Sequence, residues 1–448
     1  MSATGLHAAA GPTQILRSVR RSFRLGLAVL ALVFAYLVYA WMAFDVSGLI
    51  ASAKPERAAV LATDAVAHKV HVTKLLRMDR VNIAVEGERT ATYDTPPDWV
   101  KLEGEQLDVD LDDGYRAVIA GTGVVLSVPG YGDIRVGVTG GKVVTTAPEG
   151  RDLPDWVRAT PAKFDARPDL QRRVQVSRAK IEVHRYFLGW ENFFFPFRSP
   201  LAGLSAGEVF DLAFSGERLD PSMSNAALIF RTFRDNPDWQ HGAVFVALLE
   251  TLMMAVLGTF TAALVALPLA FLAARNFTPA GGVRFLVRRL FDFVRGIDML
   301  IWSLIFIRAF GLGPLTGALA IAFTDTGTLG KLFSEALENI DRKQVEGVTA
   351  TGASRTQTYR FGVIPQILPI LVSQTLYYLE SNTRSATVIG ALGAGGIGLM
   401  LVETMRTSRD WENTFYIIIL TVILVIAMDA ISTRLRRRLI HDGTDRGK

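Results

Sequence analysis

Residues 346–369 read EGVTATGASRTQTYRFGVIPQILP, and the organisation of the whole chain turns on them. This segment belongs to a polar, charged stretch, Ser334 to Arg360, that separates two apolar runs. It opens in helix-compatible sequence at Glu346 and meets a hinge glycine at Gly352, where a bend costs little. The next helix is entered at Pro365, a residue suited to the first turn of a helix. The spacing predicts a short helix lying across a membrane surface between two spans. A helix so placed suits docking into the groove of a partner.

The apolar runs follow from this loop outward. Pro314–Leu332 precedes it and Pro365–Ala386 follows it. Upstream lie Phe291–Phe310 and Ala243–Ala274, the latter with one charge, Glu250, in 32 residues, and Pro268 as a candidate kink. Downstream lies Asn413–Ile431. A sixth run near the N-terminus, Leu25–Ala43, holds 19 uncharged residues. That exceeds the ~7–15 residues of a cleavable signal's apolar region, and Trp41, Met42 and Phe44 stand where small residues would mark a cleavage site. At ~1.5 Å rise per residue each run approaches or exceeds what a ~30 Å hydrocarbon layer needs.

Basic residues cluster beside these runs. Arg17, Arg20, Arg21 and Arg24 precede the first; Arg275, Arg284, Arg288 and Arg289 follow the second; Arg434, Arg436, Arg437 and Arg438 follow the last. Positive charge stays on the cytoplasmic side, so six helices with both termini in the cytoplasm satisfy every cluster. The expected order is a cytoplasmic N-terminus (1–24), a first span (25–44), an extracytoplasmic insert (45–240), a core of five further spans (241–433) holding the cytoplasmic loop 334–365, and a basic cytoplasmic tail (434–448).

The insert has a different texture. Lys54–Arg80 reads as a helix of mixed charge. Gln106–Thr146 reads as strands, alternating through Leu107, Val109 and Leu111 and turning at Asp113-Gly114 and Gly140-Gly141, which are hairpin signals. Pro-Asp-Trp-Val occurs at 97–100 and again at 154–157; a shared turn is preferred here over a duplicated half-domain. Tyr186–Phe197 carries seven aromatic residues, suited either to the lipid headgroup level or to packing against the β-domain. The expected fold class is thus an all-α polytopic membrane protein with a β-containing insert.

Several ionisable residues fall inside the spans: Arg295, Asp298 and Arg308, then Glu380 and Arg384, then Asp429. A charge at the bilayer centre costs ~2.5–3.5 kcal/mol even on the lenient scale, so these side chains should face protein, water or each other. Asp298, Glu380 and Arg384 are read as belonging in or near a transport path, with internal ion pairing as the alternative; Arg308 and Asp429 are read as interfacial. Gly390, Gly393, Gly395, Gly396 and Gly398 follow Arg384. Such a run permits close helix packing, the preferred reading, or an irregular loop whose amides hold an oxyanion.

The sequence also excludes chemistry. Its net charge is only +5 and its basic residues flank apolar runs, which argues against nucleic acid as a partner. There is no cysteine, hence no disulfide, no thiolate–metal site and no cysteine nucleophile. No phosphate-binding G-x-x-x-x-G-K-[ST] loop is present, and no G-x-S-x-G elbow. His68 and His71 lie three apart, but without further histidine or cysteine nearby no metal site is expected.

The 346–369 loop resembles the Glu-Ala-Ala loop of ABC-importer permeases. Glu346, Gly352 and Pro365 fall at that motif's spacing, with Gly347 and Val348 in place of the two alanines, Gly362 in place of an isoleucine and Ile364 in place of a leucine. Gly311-Leu312-Gly313-Pro314, Leu329-Gly330-Lys331-Leu332, Arg384-Ser385-Ala386-Thr387-Val388 and Gly393–Gly398 look like the phosphonate-type permeases. The resemblance spans roughly 243–440 and does not reach the insert. It implies an ABC-importer permease fold in a bacterial inner membrane. The implied partners are a second permease copy or paralogue, a cytoplasmic ATPase dimer and a periplasmic phosphonate-binding protein. ATP and Mg would be bound by the ATPase partner, with no cofactor in this chain. Glu346, Gly352, Ala353 and Ser354 would couple to the ATPase. Arg384 would attract the anion, with Ser385, Thr387, Gly395 and Gly396 beside it. Two rivals stay open: an ion-coupled secondary transporter using Asp298 and Glu380, and a membrane-anchored sensor with a periplasmic ligand domain.

Overall fold

The computed structural model describes residues 12–53, 55–86, 91–104, 106–407 and 411–445. The expectations placed on residues 1–11 and on the last three residues of the tail lie outside these. A first unit, residues 1–61, holds α1 (Pro12–Ala43), α2 (Val46–Ala51) and most of α3 (Pro55–Val66). The apolar part of α1, Phe23–Ala43, is long and apolar enough to cross a bilayer.

The second unit begins with a β-sandwich. Among the described residues, twelve strands form two six-stranded antiparallel sheets. The strands are β1 (Ala67–Leu75), β2 (Arg80–Val85), β3 (Val100–Glu103), β4 (Gln106–Asp110), β5 (Arg116–Ala120), β6 (Gly123–Val128), β7 (Gly132–Thr139), β8 (Lys142–Thr146), β9 (Val157–Ala159), β10 (Lys163–Ala166), β11 (Arg172–Ser177) and β12 (Lys180–Leu188). One sheet is the meander β3–β8 in sequence order; the other runs β2-β1-β12-β11-β10-β9. Alternate residues such as Val109, Ile119, Ile134, Val174, Val176 and Val183 fill the space between them, as two inward sheet faces must. The expected helix Lys54–Arg80 is corrected: it stops at Val66, and residues 67–75 alternate as a strand.

The repeated Pro-Asp-Trp-Val marks more than a shared turn. In each copy the valine amide donates to the proline carbonyl, Val100 to Pro97 at 2.8 Å and Val157 to Pro154 at 2.9 Å. The strands that follow pair in the same register 57 residues apart: Val100 with Val109 as Val157 with Ala166, Leu107 with Ile119 as Phe164 with Val176, Ala117 with Leu126 as Val174 with Val183. An ion pair recurs at the same offset, Arg116 with Asp108 and Arg173 with Asp165. The insert is therefore built from a repeated four-strand meander. The first copy is extended by β7 and β8, the second by β1 and β2 from the other end of the insert.

Two short helices, α4 (Ala206–Phe214) and α5 (Asn225–Arg234), lead to the helical core. It comprises α6 (His241–Ala273), α7 (Gly281–Gly296), α8 (Met299–Phe310), α9 (Pro314–Glu338), α10 (Arg342–Ala350), α11 (Arg355–Thr358), α12 (Ile364–Ile389), α13 (Gly396–Thr407) and α14 (Trp411–Asp445). Among the described residues, four stretches suffice in length and apolarity to span: Phe23–Ala43, His241–Ala273, Arg355–Ala394 and Trp411–Arg438. Met299–Phe310 is apolar but shorter. The expected span Phe291–Phe310 is corrected: it breaks at Ile297–Asp298, and the Asp298 side chain caps α8 by accepting from Leu300 N at 2.8 Å. An Asp oxygen satisfies an orphan helix amide well, so the chain turns where its hydropathy alone reads as continuous.

Small residues let the core helices approach closely. Ala255, Ala262, Ala266 and Ala270 of α6 are fully buried. A side chain at Gly258 would stand 2.6 Å from Ile321 of α9. The aromatic run is a joint: Trp190 and Phe193 pack with Trp239 and Tyr416, and His241 bridges the Phe193 carbonyl and the Tyr416 hydroxyl. Of its two expected roles, packing governs these residues, and their partners are the ends of α6 and α14.

Candidate functional site

The chain from α12 to α13 is one helical path broken in the middle. Gly390–Ala394 forms a π-helical turn, and Gly393, Gly395 and Gly396 adopt φ of 115°, 88° and 67°, a region that side chains disfavour. The break is sealed from α6. Gly396 N donates to Glu250 Oε2 at 3.0 Å and Ile397 N donates to Thr251 Oγ1 at 2.9 Å. Two orphan amides at the start of α13 are thus satisfied by side chains of another helix. Glu250 lies nine residues into α6, about 14 Å along its axis. The glycines are required for packing as well: a Cβ on Gly398 would stand 1.9 Å from the Thr387 carbonyl and one on Gly390 2.4 Å from the Gly395 carbonyl. The close packing expected of the glycine run is present in an irregular backbone, and the Gly396 and Ile397 amides are taken up by Glu250 and Thr251.

Arg384 sits on an exposed face of α12, one turn from Glu380, with NH2 3.3 Å from Oε1. Ser385 and Thr387 return their hydroxyls to the Ser381 and Thr383 carbonyls of the same helix. Gly395 and Gly396 belong to the break. The structure thus gathers Glu380 with Arg384 and Gly395 with Gly396, while Asp298 serves the start of α8.

Sequence reasoning passed over a buried polar group in the core. Asn382 Nδ2 donates to Asp325 Oδ2 at 2.5 Å and to Thr259 Oγ1 at 2.8 Å, joining α12, α9 and α6. All three residues are buried. The signal was an aspartate inside the apolar run Pro314–Leu332, where a lone carboxylate demands a partner.

The 346–369 loop folds as a capped surface helix. Asp341 caps α10 by accepting from Lys343 N at 2.9 Å. Gly352 ends it with φ +82°, and its amide donates to the Thr349 carbonyl at 3.0 Å, a left-handed stop that favours glycine. Ala353 follows, and Ser354 opens α11 with a reciprocal capping box to Gln357. Glu346 is exposed on α10. A groove lies beside it, lined by Gln344, Gly347, Val348, Gly352, Gln357 and Phe361. Two capped helices are thus joined through one left-handed glycine, with Glu346 exposed on the first.

His68 and His71 do not converge. On a strand, positions three apart face opposite sides; His68 stacks on Phe187 while His71 faces His184. Among the described residues no group of three metal-ligating side chains forms.

Residues 266–441 match the family described as "Binding-protein-dependent transport system inner membrane component". The chain is 39% identical over 187 residues to a putative phosphite transport system permease protein of Stutzerimonas stutzeri, covering 42% of this chain and 66% of that one. It is 37% identical over 191 residues to a phosphate-import permease protein of Mycolicibacterium smegmatis, covering 43% of this chain and 36% of that one. It is 45% identical over 122 residues to a putative cryptic phosphonate transport system permease protein of Escherichia coli, covering 27% of this chain and 99% of that one. The chain thus spans just under two thirds of the first of these relatives and about a third of the second.

Proposed function

This chain belongs to the phosphonate-type permeases of ABC importers, and from that membership we propose that it forms part of the membrane path for phosphonate or a related phosphorus oxyanion. The observation that carries this reading is the α10–α11 element. A short helix capped by Asp341, bent at Gly352 and restarted by Ser354 stands exposed between long apolar helices. Such a helix transmits motion from a soluble partner into α12.

In this reading two permease subunits, identical or paralogous, face each other, and a cytoplasmic ATPase dimer grips α10 through Glu346, Gly352, Ala353 and Ser354. That partner binds ATP and Mg and carries out hydrolysis; this chain transports. A periplasmic binding protein delivers substrate on the side of the β-sandwich, with both termini of the chain in the cytoplasm. Arg384 attracts the anion from its exposed face of α12. Glu380 holds it when the path is empty, and Ser385, Thr387 and the Gly395–Gly396 backbone lie along the same route. Asp298, as a helix cap, sets where α8 enters the membrane.

The test is ATP hydrolysis by the complex co-purified with its ATPase and binding protein. Phosphonate should stimulate hydrolysis, and Glu346→Arg should abolish the stimulation. Assembly without any response to phosphonate, phosphite or phosphate would remove the substrate assignment. Failure to assemble with an ATPase would leave an ion-coupled carrier as the better account.

A further inference from the structure

The start of α10 is held by two side-chain amides from different parts of the core. On one side, the Asp341 amide donates to Gln366 Oε1 of α12 at 2.9 Å. Gln366 Nε2 donates in turn to the Gly362 carbonyl at 2.6 Å and reaches the Asp341 carbonyl at 3.5 Å. On the other side, Arg342 Nη2 donates to Asn276 Oδ1 at 3.3 Å. Asn276 Nδ2 donates to the Leu337 and Glu338 carbonyls at the end of α9, at 3.3 and 3.2 Å. Asp341 is also the residue whose carboxylate caps α10, so its backbone ties to α12 the helix that its side chain begins.

Gln366 grips a weak point of α12. Tyr359–Val363 winds as a π-helical turn, an interruption of the regular ladder. Pro365 and Pro369 follow one turn apart. Neither has an amide to donate, so the Phe361 and Pro365 carbonyls have no i+4 donor. The entry of α12 thus lacks two bonds of its own backbone, and the Gln366 side chain fastens it to α10.

Beside these bonds α10 meets the same segment through apolar surface. Val345 packs on the buried cluster that holds Val363 and Ile367, and a Cβ on Gly362 would meet the Val345 Cα at 3.4 Å. Apolar contact is non-directional, so such surfaces slide past each other at little cost. A hydrogen bond has a preferred length and angle and resists that slip.

We infer that Gln366 is the positioning residue that passes movement of α10 to α12, so that a displaced surface helix turns the α12 entry instead of sliding over it. The inference rests on the transport reading above and names the link through which it works.

The complex with its ATPase and binding protein, reconstituted in proteoliposomes, tests this through the ratio of anion taken up to ATP hydrolysed. Inorganic phosphate, phosphite and methylphosphonate are supplied in turn. Gln366→Leu fills similar space without either bond; it should keep hydrolysis within about twofold of wild type and lower the ratio about fivefold. Gln366→Glu still accepts from the Asp341 amide and should retain about half the wild-type ratio or more. Hydrogen exchange at the Asp341 amide should run about tenfold faster in Gln366→Leu than in wild type. A parallel fall of hydrolysis and uptake, or a Gln366→Leu chain that no longer assembles with the ATPase, overturns the inference, because the residue then only holds the fold. An unchanged ratio, a Gln366→Glu ratio as low as that of Gln366→Leu, or unchanged exchange at Asp341 overturns it as well and leaves the transport reading standing. Faster exchange beside a wild-type complex that takes up none of the three anions keeps the bond, removes the transport reading and takes the coupling role with it.

Discussion

The Glu250 carboxylate accepts the Gly396 amide at 3.0 Å across 146 residues of chain. A negative group thus already occupies the start of α13, the place where a helix favours an anion. Replacing Glu250 by Ala should lower stability by about 1 kcal/mol, the usual worth of such a cap, and slow uptake severalfold. Glu250→Gln keeps an acceptor and should retain most of both. Thermal unfolding and vesicle uptake of the two variants side by side check this.

Gly398 tests how tightly the break is packed. Its missing Cβ would lie 1.9 Å from the Thr387 carbonyl, a rigid backbone atom. Gly398→Ala should cost about 3 kcal/mol or more and reduce the folded fraction recovered in detergent. Gly137→Ala on β7 has nothing within 4 Å and should change stability by less than about 1 kcal/mol. Size-exclusion profiles of the two variants give the comparison.

The buried triad should answer to shape before charge. Asn382→Leu leaves Asp325 and Thr259 without their shared donor and should cost about 1–3 kcal/mol. Asp325→Leu leaves Asn382 half-paired and should cost a similar amount. The double substitution should cost less than the sum of the two. Denaturant or thermal unfolding of the four proteins completes the cycle.

Acidification should loosen the β-sandwich through His184. Burial holds its folded pKa at about 3, below the ordinary histidine value, so between those values the unfolded chain binds the proton and the folded one does not. The stability His184 permits is therefore fully present above about pH 6.5 and is lost as pH falls toward 3. At pH 5 this amounts to about 2 kcal/mol. His184→Leu should shrink the difference in unfolding free energy between pH 7.5 and pH 5 by that amount; an unchanged difference would contradict the burial of a neutral ring.

Local signals in the sequence carried through to the structure where one kind of chemistry acts alone. Asp113-Gly114 and Gly140-Gly141 do turn, all four with positive φ. Gly352 does end a surface helix because no side chain suits its backbone. Legibility failed where tertiary contacts overrode a local pattern. The run 291–310 is mostly apolar, yet the Asp298 cap divides it. Residues 67–75 are as charged as a surface helix, but both neighbours in the sheet, β2 and β12, draw them into a strand. The repeat was hidden because a shared register needs only alternation, and few identities beyond Pro-Asp-Trp-Val survive between its copies. Asp325 was overlooked because its partners, Asn382 and Thr259, are distant in sequence and adjacent only in the fold.

The closure of the sandwich sets a clock on its assembly. Ala67, the first residue of β1, lies opposite Leu188, the last of β12. The meander β3–β8 can zip as it emerges, each strand beside its predecessor. β1 cannot, because its lasting neighbour β12 is the final strand to be made. At ~5–20 residues per second, roughly 6–24 s pass between the two, during which β1 and β2 present a bare edge of the kind that invites wrong pairing. A chaperone that shields extended segments would be needed in that interval and superfluous afterwards.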